Sequence, residues 1–133
     1  MDARLDACEV LRISDGCGHV IRNAGGIVTD DVLRSLTISQ RLLGTREVAV
    51  VHHTGCGMLT FRDDEVTDRI LAETGVRPPF TLGAFADLDA DVRESVARIA
   101  SSPFLPFRDA VRGYVYDLDT GELREVAPGP VAT

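Results

Sequence analysis

The sequence has 133 residues, 44% of them apolar, and a formal net charge of −7, which fits one domain with a single core. All 14 basic residues are arginines and they form no cluster, so the composition argues against a nucleic-acid partner. There is no apolar run long enough for a membrane span, and the N-terminus lacks the pattern of a secretory signal. We therefore expect a cytoplasmic protein that contacts neither nucleic acid nor membrane.

The first part of the chain predicts a helix, a strand and a second helix. Apolar residues at helical spacing predict a helix over residues 4–11, with the Cys8 thiol in the core. Residues 19–22 are expected to form a short strand that leads into a glycine-containing loop. Thr29, followed by two acidic residues, is a good helix start, and Gly44 is a natural helix end.

Residues 47–58, EVAVVHHTGCGM, organise the rest of the chain. The apolar and mostly β-branched run at 48–51 is typical of a strand buried on both faces of a parallel sheet. Together with the preceding strand and helix, it predicts a βαβ unit with a right-handed crossover.

The remaining elements follow from amphipathic spacing and turn residues. We expect a short helix at 57–61, helices at 63–74 and 88–101, and a hairpin of strands 111–118 and 123–126. The tail at 127–133 is rich in Pro and Gly and is expected to be loose. The fold class is therefore α/β: one domain over 1–133, with a short, mostly parallel β-sheet flanked by helices and a C-terminal β-hairpin.

The strongest chemical signal is the H-x-x-C spacing of His53 and Cys56 at the end of the buried strand. Chemistry collects at the carboxyl ends of strands in open α/β sheets, and imidazole and thiolate are both good zinc ligands. A surface histidine beside a buried cysteine fits the spacing equally well. A third interpretation is a Cys56 nucleophile with His53 as its base.

A second signal is the D-x-R spacing of Asp2 and Arg4. On a strand end, side chains two residues apart point the same way, so a carboxylate and a guanidinium can pair. Most such pairs are ordinary surface ions. His52 alternates with His53 and is expected to face away from the site, whereas His19 and Cys17 are expected at the opposite end of the sheet. The odd count of three cysteines argues against a disulfide framework.

Three motifs together carry a resemblance: MDARLD at 1–6, HVIRNAG at 19–25 and HTGCG at 53–57. In this order and approximate spacing they resemble the β-class carbonic anhydrases, most closely the small bacterial subgroup. The resemblance covers most of the chain, from Met1 through the final hairpin. It implies a β-carbonic-anhydrase-like fold, a Zn²⁺ cofactor, CO₂ and bicarbonate as the small-molecule substrates, and a homodimer or higher homo-oligomer.

The resemblance also implies roles for individual residues. His53 and Cys56 match the second and third zinc ligands, Asp2 and Arg4 match the catalytic dyad, and the Gly57 backbone matches the lining of the substrate pocket. Metal-bound hydroxide would attack CO₂ to give bicarbonate. Arg4 would hold Asp2, and Asp2 would accept a hydrogen bond from the hydroxide.

The sequence departs from the family pattern at its start. The first zinc ligand of the family is a cysteine immediately before the position of Met1, and the strand that carries it and the N-terminal helices have no counterpart here. We favour a truncated chain or a misassigned start. The alternatives are a complete chain that has lost zinc, or zinc held by His53, Cys56 and Asp2 with a ligand borrowed from elsewhere.

Two other functions fit the same residues. The zinc site could hydrolyse CS₂ or COS, since the same hydroxide can attack either molecule. Alternatively, the protein is a metal-free, non-catalytic homologue that acts as a structural or interaction module.

Overall fold

The computed structural model describes residues 1–14, 16 and 18–129. Its regular elements in chain order are α1 (Ala7–Leu11), α2 (Asp30–Leu43), β1 (Val48–His53), α3 (Asp63–Thr74), α4 (Leu88–Ala100), β2 (Val111–Tyr116) and β3 (Leu123–Val126). Two short 3₁₀ turns, Ala24–Gly26 and Gly57–Leu59, precede α2 and α3. Within the described ranges, no helix is long and apolar enough to cross a membrane. Cys17 and the last four residues of the predicted loose tail lie outside these ranges.

The sheet has three strands in the order β1-β2-β3. β1 and β2 are parallel, with Val48 opposite Val111 and His53 opposite Tyr116. β2 and β3 are antiparallel, which confirms the predicted C-terminal hairpin. The predicted α/β class is confirmed, and the sheet combines one parallel pair with one antiparallel pair.

The strand predicted at residues 19–22 is wrong, and so is the βαβ unit built on it. These residues belong to no strand, and the parallel partner of β1 is β2, reached through a crossover that contains α3 and α4. Residues 19–22 and 48–51 line a common cavity of about 1000 Å³. The two segments form no ladder with each other, and an extended segment without a partner has no sheet to join.

The helices follow their local sequence signals. Thr29 Oγ1 accepts a hydrogen bond from Val32 N at 3.3 Å at the start of α2, and Gly44 ends that helix with a φ of 80°. The predicted bounds of α3 are confirmed, and α4 ends one residue before its predicted end. Side-chain caps begin α2 and α4, and glycines end α2 and α3, so these ends could be predicted from the sequence.

Helix α1 is shorter than predicted because the Asp6 carboxylate caps it, accepting a hydrogen bond from Glu9 N at 3.1 Å. None of its residues is buried. The expected core position of Cys8 is therefore wrong, and this residue is only half-buried.

The core lies where α4 packs on the sheet. Val92 and Ile99 of α4 and Val115 of β2 are each no more than 1% exposed. Gly113 of β2 is buried beneath α4, where a Cβ atom would collide with Val92 and lie 2.9 Å from Val96 Cγ2. The missing side chain at this position thus allows the helix to approach the strand closely.

We expect Gly113→Ala to lower the free energy of unfolding by about 1–3 kcal/mol, because the added methyl overpacks the interface between α4 and β2. Urea denaturation measures this change. Arg112→Ala, an exposed neighbour on the same strand, is the control and should change stability by less than about 0.5 kcal/mol. Adding Val92→Ala should offset part of the loss, and strictly additive losses would contradict the packing argument.

Candidate active site

The last two residues of β1 face opposite sides of the sheet. The His52 side chain is fully buried, and its Nε2 lies 2.6 Å from Asp91 Oδ2 on α4. The His53 side chain points the other way and is 12% exposed. His52 therefore faces away from the site, as expected from strand alternation.

The protonation of the His53 ring follows from its hydrogen bond. Nδ1 lies 2.7 Å from the Thr54 carbonyl oxygen, which can only accept, so Nδ1 carries the proton of the neutral ring. Nε2 is left with a free lone pair, 3.8 Å from Asp2 Oδ2. Thr54 is itself held by β2 and the residues after it, since its N–H donates to Tyr116 O at 3.0 Å and its hydroxyl accepts from Leu118 N at 3.0 Å.

The role of Thr54 was not predicted from the sequence. Thr54 stands between His53 and Cys56 in the sequence. Whether the His53 ring can donate to the Thr54 carbonyl, however, depends on the direction that the chain takes after β1. In a metal-binding histidine, a hydrogen bond to the ring nitrogen that does not bind the metal fixes the tautomer.

Cys56 is 6% exposed and stands immediately before the turn Gly57–Leu59. Its carbonyl accepts from Leu59 N at 3.1 Å. Gly55, between the strand and this turn, has a φ of 64°, which a residue with a side chain rarely adopts. Gly57 is exposed, with no atom within 4 Å of the position that a Cβ would take.

Asp2 and Arg4 pair as expected, but on a turn and not on the strand end assumed from the sequence. Arg4 Nε donates to Asp2 Oδ1 at 3.0 Å and Nη2 donates to Oδ2 at 2.5 Å, so the contact is bidentate. The Arg4 backbone N–H also donates to Oδ1, at 2.9 Å. The side-chain hydrogen bonds from Arg4 hold the pKa of the Asp2 carboxyl well below its usual range, so Asp2 is ionised.

Residues far along the chain hold this N-terminal turn in place. Arg22 donates from Nη1 to Leu5 O at 2.7 Å and from Nη2 to Asp2 O at 2.5 Å. The Met1 amino group donates to Asn23 O at 2.5 Å. Arg22 and Asn23 were not assigned a role from the sequence, although they lie in the motif at 19–25.

His19 is not brought to the site. Its Nδ1 lies 2.7 Å from Ser39 Oγ on α2, and that hydroxyl lies 2.6 Å from Thr45 Oγ1. The same cavity that separates residues 19–22 from β1 reaches from these residues to Asp2, Asn23 and His53. Of the described residues, neither Cys56 nor Gly57 contributes to its lining.

The donors present fit a zinc site in part. An imidazole with a free Nε2 and a buried cysteine are the ligand types that zinc prefers, and the Asp2 carboxylate lies near that nitrogen. Among the described residues, however, no group of three or more His, Cys, Asp or Glu side chains is close enough to hold a metal ion. The described side chains by themselves therefore do not complete a tetrahedral zinc site.

The chain is similar to known proteins over nearly its whole length. It is 55% identical over 128 residues to β-carbonic anhydrase 1 of Mycobacterium tuberculosis, covering 96% of this chain and 78% of that protein. It is 33% identical over 150 residues to the carbon disulfide hydrolase of Saccharolobus solfataricus, covering 94% and 73% of the two chains.

Solved structures show the same relationship. The carbonic anhydrase of Streptococcus mutans superposes with a TM-score of 0.87 at 43% identity, covering 96% of this chain and 77% of that one. The apo form of a carbon disulfide hydrolase gives 0.82 at 28% identity, covering 100% and 83%. The family model described as carbonic anhydrase matches residues 1–76. Sequence and fold thus agree, and the chain belongs to the β-class carbonic anhydrase family.

Proposed function

We propose that this protein catalyses the reversible hydration of CO₂ to bicarbonate at a site formed by Asp2, Arg4, His53 and Cys56. The observation that carries the proposal is the His53 ring, whose free Nε2 faces the ionised Asp2 carboxylate at 3.8 Å. The high identity to a β-carbonic anhydrase supports the choice of substrate.

His53 Nε2 and the Cys56 thiolate would hold a zinc ion as two of its ligands. When bound, zinc supplies a Lewis acid that lowers the pKa of water to near neutrality. The Thr54 carbonyl keeps the Nδ1 proton away from the coordinating side of the ring. The Gly57 backbone, exposed at the start of the following turn, is proposed to line the substrate pocket.

Asp2 would accept a hydrogen bond from the nucleophilic water and so orient its lone pair toward the carbon of CO₂. Arg4 supports this in two ways: its bidentate contact fixes both carboxylate oxygens, and it keeps Asp2 ionised and therefore an acceptor only. Arg22 and Asn23 hold the turn on which the pair stands.

A second candidate is hydrolysis of CS₂ or COS on the same zinc site. Its support is the 33% identity to a carbon disulfide hydrolase. The mycobacterial β-carbonic anhydrase, at 55% identity, is more similar to this chain than this hydrolase is, at 33%, so CO₂ is the preferred substrate.

The purified protein should contain about one zinc ion per chain and accelerate CO₂ hydration in a stopped-flow assay more than it accelerates release of H₂S from CS₂. His53→Ala and Cys56→Ser should each lose the metal, because each removes a ligand, whereas Cys8→Ser should keep it. Elemental analysis measures the metal content. A well-folded protein with neither zinc nor activity would instead indicate a non-catalytic module, and faster CS₂ turnover would indicate the hydrolase.

Asp2→Ala should retain its zinc but slow CO₂ hydration by ~10²-fold, because the nucleophile is no longer oriented. Arg4→Ala should also slow the reaction, since the carboxylate loses its bidentate partner. Arg62→Ala, which removes the exposed ion pair with Asp64, is a matched control and should turn over at the parental rate. Turnover of Asp2→Ala at the parental rate would refute the role given to the dyad.

We further propose that the protein assembles as a homodimer or a higher homo-oligomer. Leu42, Leu43 and Phe104 are all at least 60% exposed, and Arg41 Nε donates to Phe104 O at 2.7 Å, which brings the end of α2 and its exposed apolar surface close to the segment that carries Phe104. Burial of such a surface favours association.

Light scattering should give at least twice the chain mass of 14.4 kDa, and Leu42→Asp should shift the protein toward the monomer. A parental chain that stays monomeric at high concentration would contradict this proposal.

A further inference from the structure

We propose that His52 and Asp91 are a buried positioning pair, through which α4 holds the end of β1 and thereby places the neighbouring His53 ring. The inference rests on the proposed function only in treating His53 as a site residue. His52 and Asp91 would act through other residues and not on the substrate.

The contact between the two side chains is short and protected from water. His52 Nε2 lies 2.6 Å from Asp91 Oδ2, His52 is 1% exposed, and the Asp91 side chain is 17% exposed. Because a carboxylate accepts, His52 carries its proton on Nε2, the opposite tautomer to His53. A hydrogen bond to an ionised partner in such a setting is among the stronger ones in proteins.

The His52 ring also contacts the segments that lead to the rest of the site. Its centroid lies 5.3 Å from that of Phe85, whose N–H donates to Met58 O at 3.2 Å in the turn after Cys56. On another side, a Cβ added to Gly26 would lie 3.4 Å from His52 Nδ1 and 2.9 Å from Val51 O. The ring is therefore the common support of α4, the turn after Cys56 and the turn after Asn23.

The other ring nitrogen of His52, Nδ1, is buried at a cost in stability. Within the part of the chain that the structure describes, this buried nitrogen has no hydrogen-bond partner. A buried polar atom without a partner is unfavourable, and an apolar side chain would avoid the penalty. A histidine at position 52 therefore leaves Nδ1 without a partner but forms the bond to Asp91, which an apolar residue cannot form.

Strand β1 ends at His53, and its residues pair with β2 through the ladder that joins His53 to Tyr116. The tie from His52 to α4 restrains the same peptide segment from beneath the sheet. Loss of the tie should release the His53 ring before it unfolds the domain.

The test is nitrogen NMR of the full metal-free chain with ¹⁵N-labelled histidine. The parental protein should show His52 protonated at Nε2 and His53 protonated at Nδ1. In Asp91→Ala, the two ring-nitrogen shifts of His53 should move toward each other as its tautomer becomes mixed, and zinc affinity should fall by about tenfold or more. His52→Gln, which keeps an N–H donor of similar reach, should restore both readouts relative to His52→Leu.

Asp89→Ala is the matched control, because Asp89 lies in the same first turn of α4 but pairs with Arg124 on the surface at 2.6 Å. It should leave the His53 shifts unchanged. The proposal is overturned if Asp91→Ala is folded with parental His53 shifts, or if Asp89→Ala has the same effect as Asp91→Ala. Should Asp91→Ala fail to fold, Asp91→Leu, which has a similar size but cannot accept a hydrogen bond, serves in the same measurement. The NMR result requires no metal, so a chain that binds no zinc would refute the proposed function and leave this test decisive.

Discussion

The alternation of side chains along β1 is the constraint on which the rest of the site depends. Two adjacent histidines end this strand, and a period of two residues forces one into the core and the other toward the N-terminal turn. The carboxylate of Asp91 and the carbonyl of Thr54 then fix the two rings in opposite tautomers. A shift of the strand register by one residue would exchange the two positions and bury the imidazole that faces Asp2.

The Asp2–Arg4 pair shows how a local motif becomes a site only through distant contacts. The pair itself forms within a turn of a few residues and would form in many sequences. Its position beside His53 depends on Arg22, which binds two carbonyls of the turn. The motif at 19–25 therefore serves the chemistry indirectly, by holding the segment that carries the acceptor.

The difference between local and distant contacts also explains which elements could be predicted from the sequence. Helices α2, α3 and α4 and the terminal hairpin were predicted to within a few residues, because their caps, apolar periods and turn residues lie within the elements themselves. The strand at 19–22 was not formed, because a strand requires a neighbour and no described strand pairs with these residues. The predicted helix at 4–11 began too early, because the capping role of Asp6 was not recognised.

The sequence by itself determined the α/β class, most helix ends, and the residue types of the site: the H-x-x-C of His53 and Cys56 and the D-x-R of Asp2 and Arg4. Each of these is encoded within a few consecutive residues. Only the tertiary structure decided that Asp2 faces His53, which ring nitrogen of each histidine carries the proton, and that Arg22 holds the turn. These features depend on contacts between residues far apart in the chain, and such contacts exist only once the strands and helices have packed.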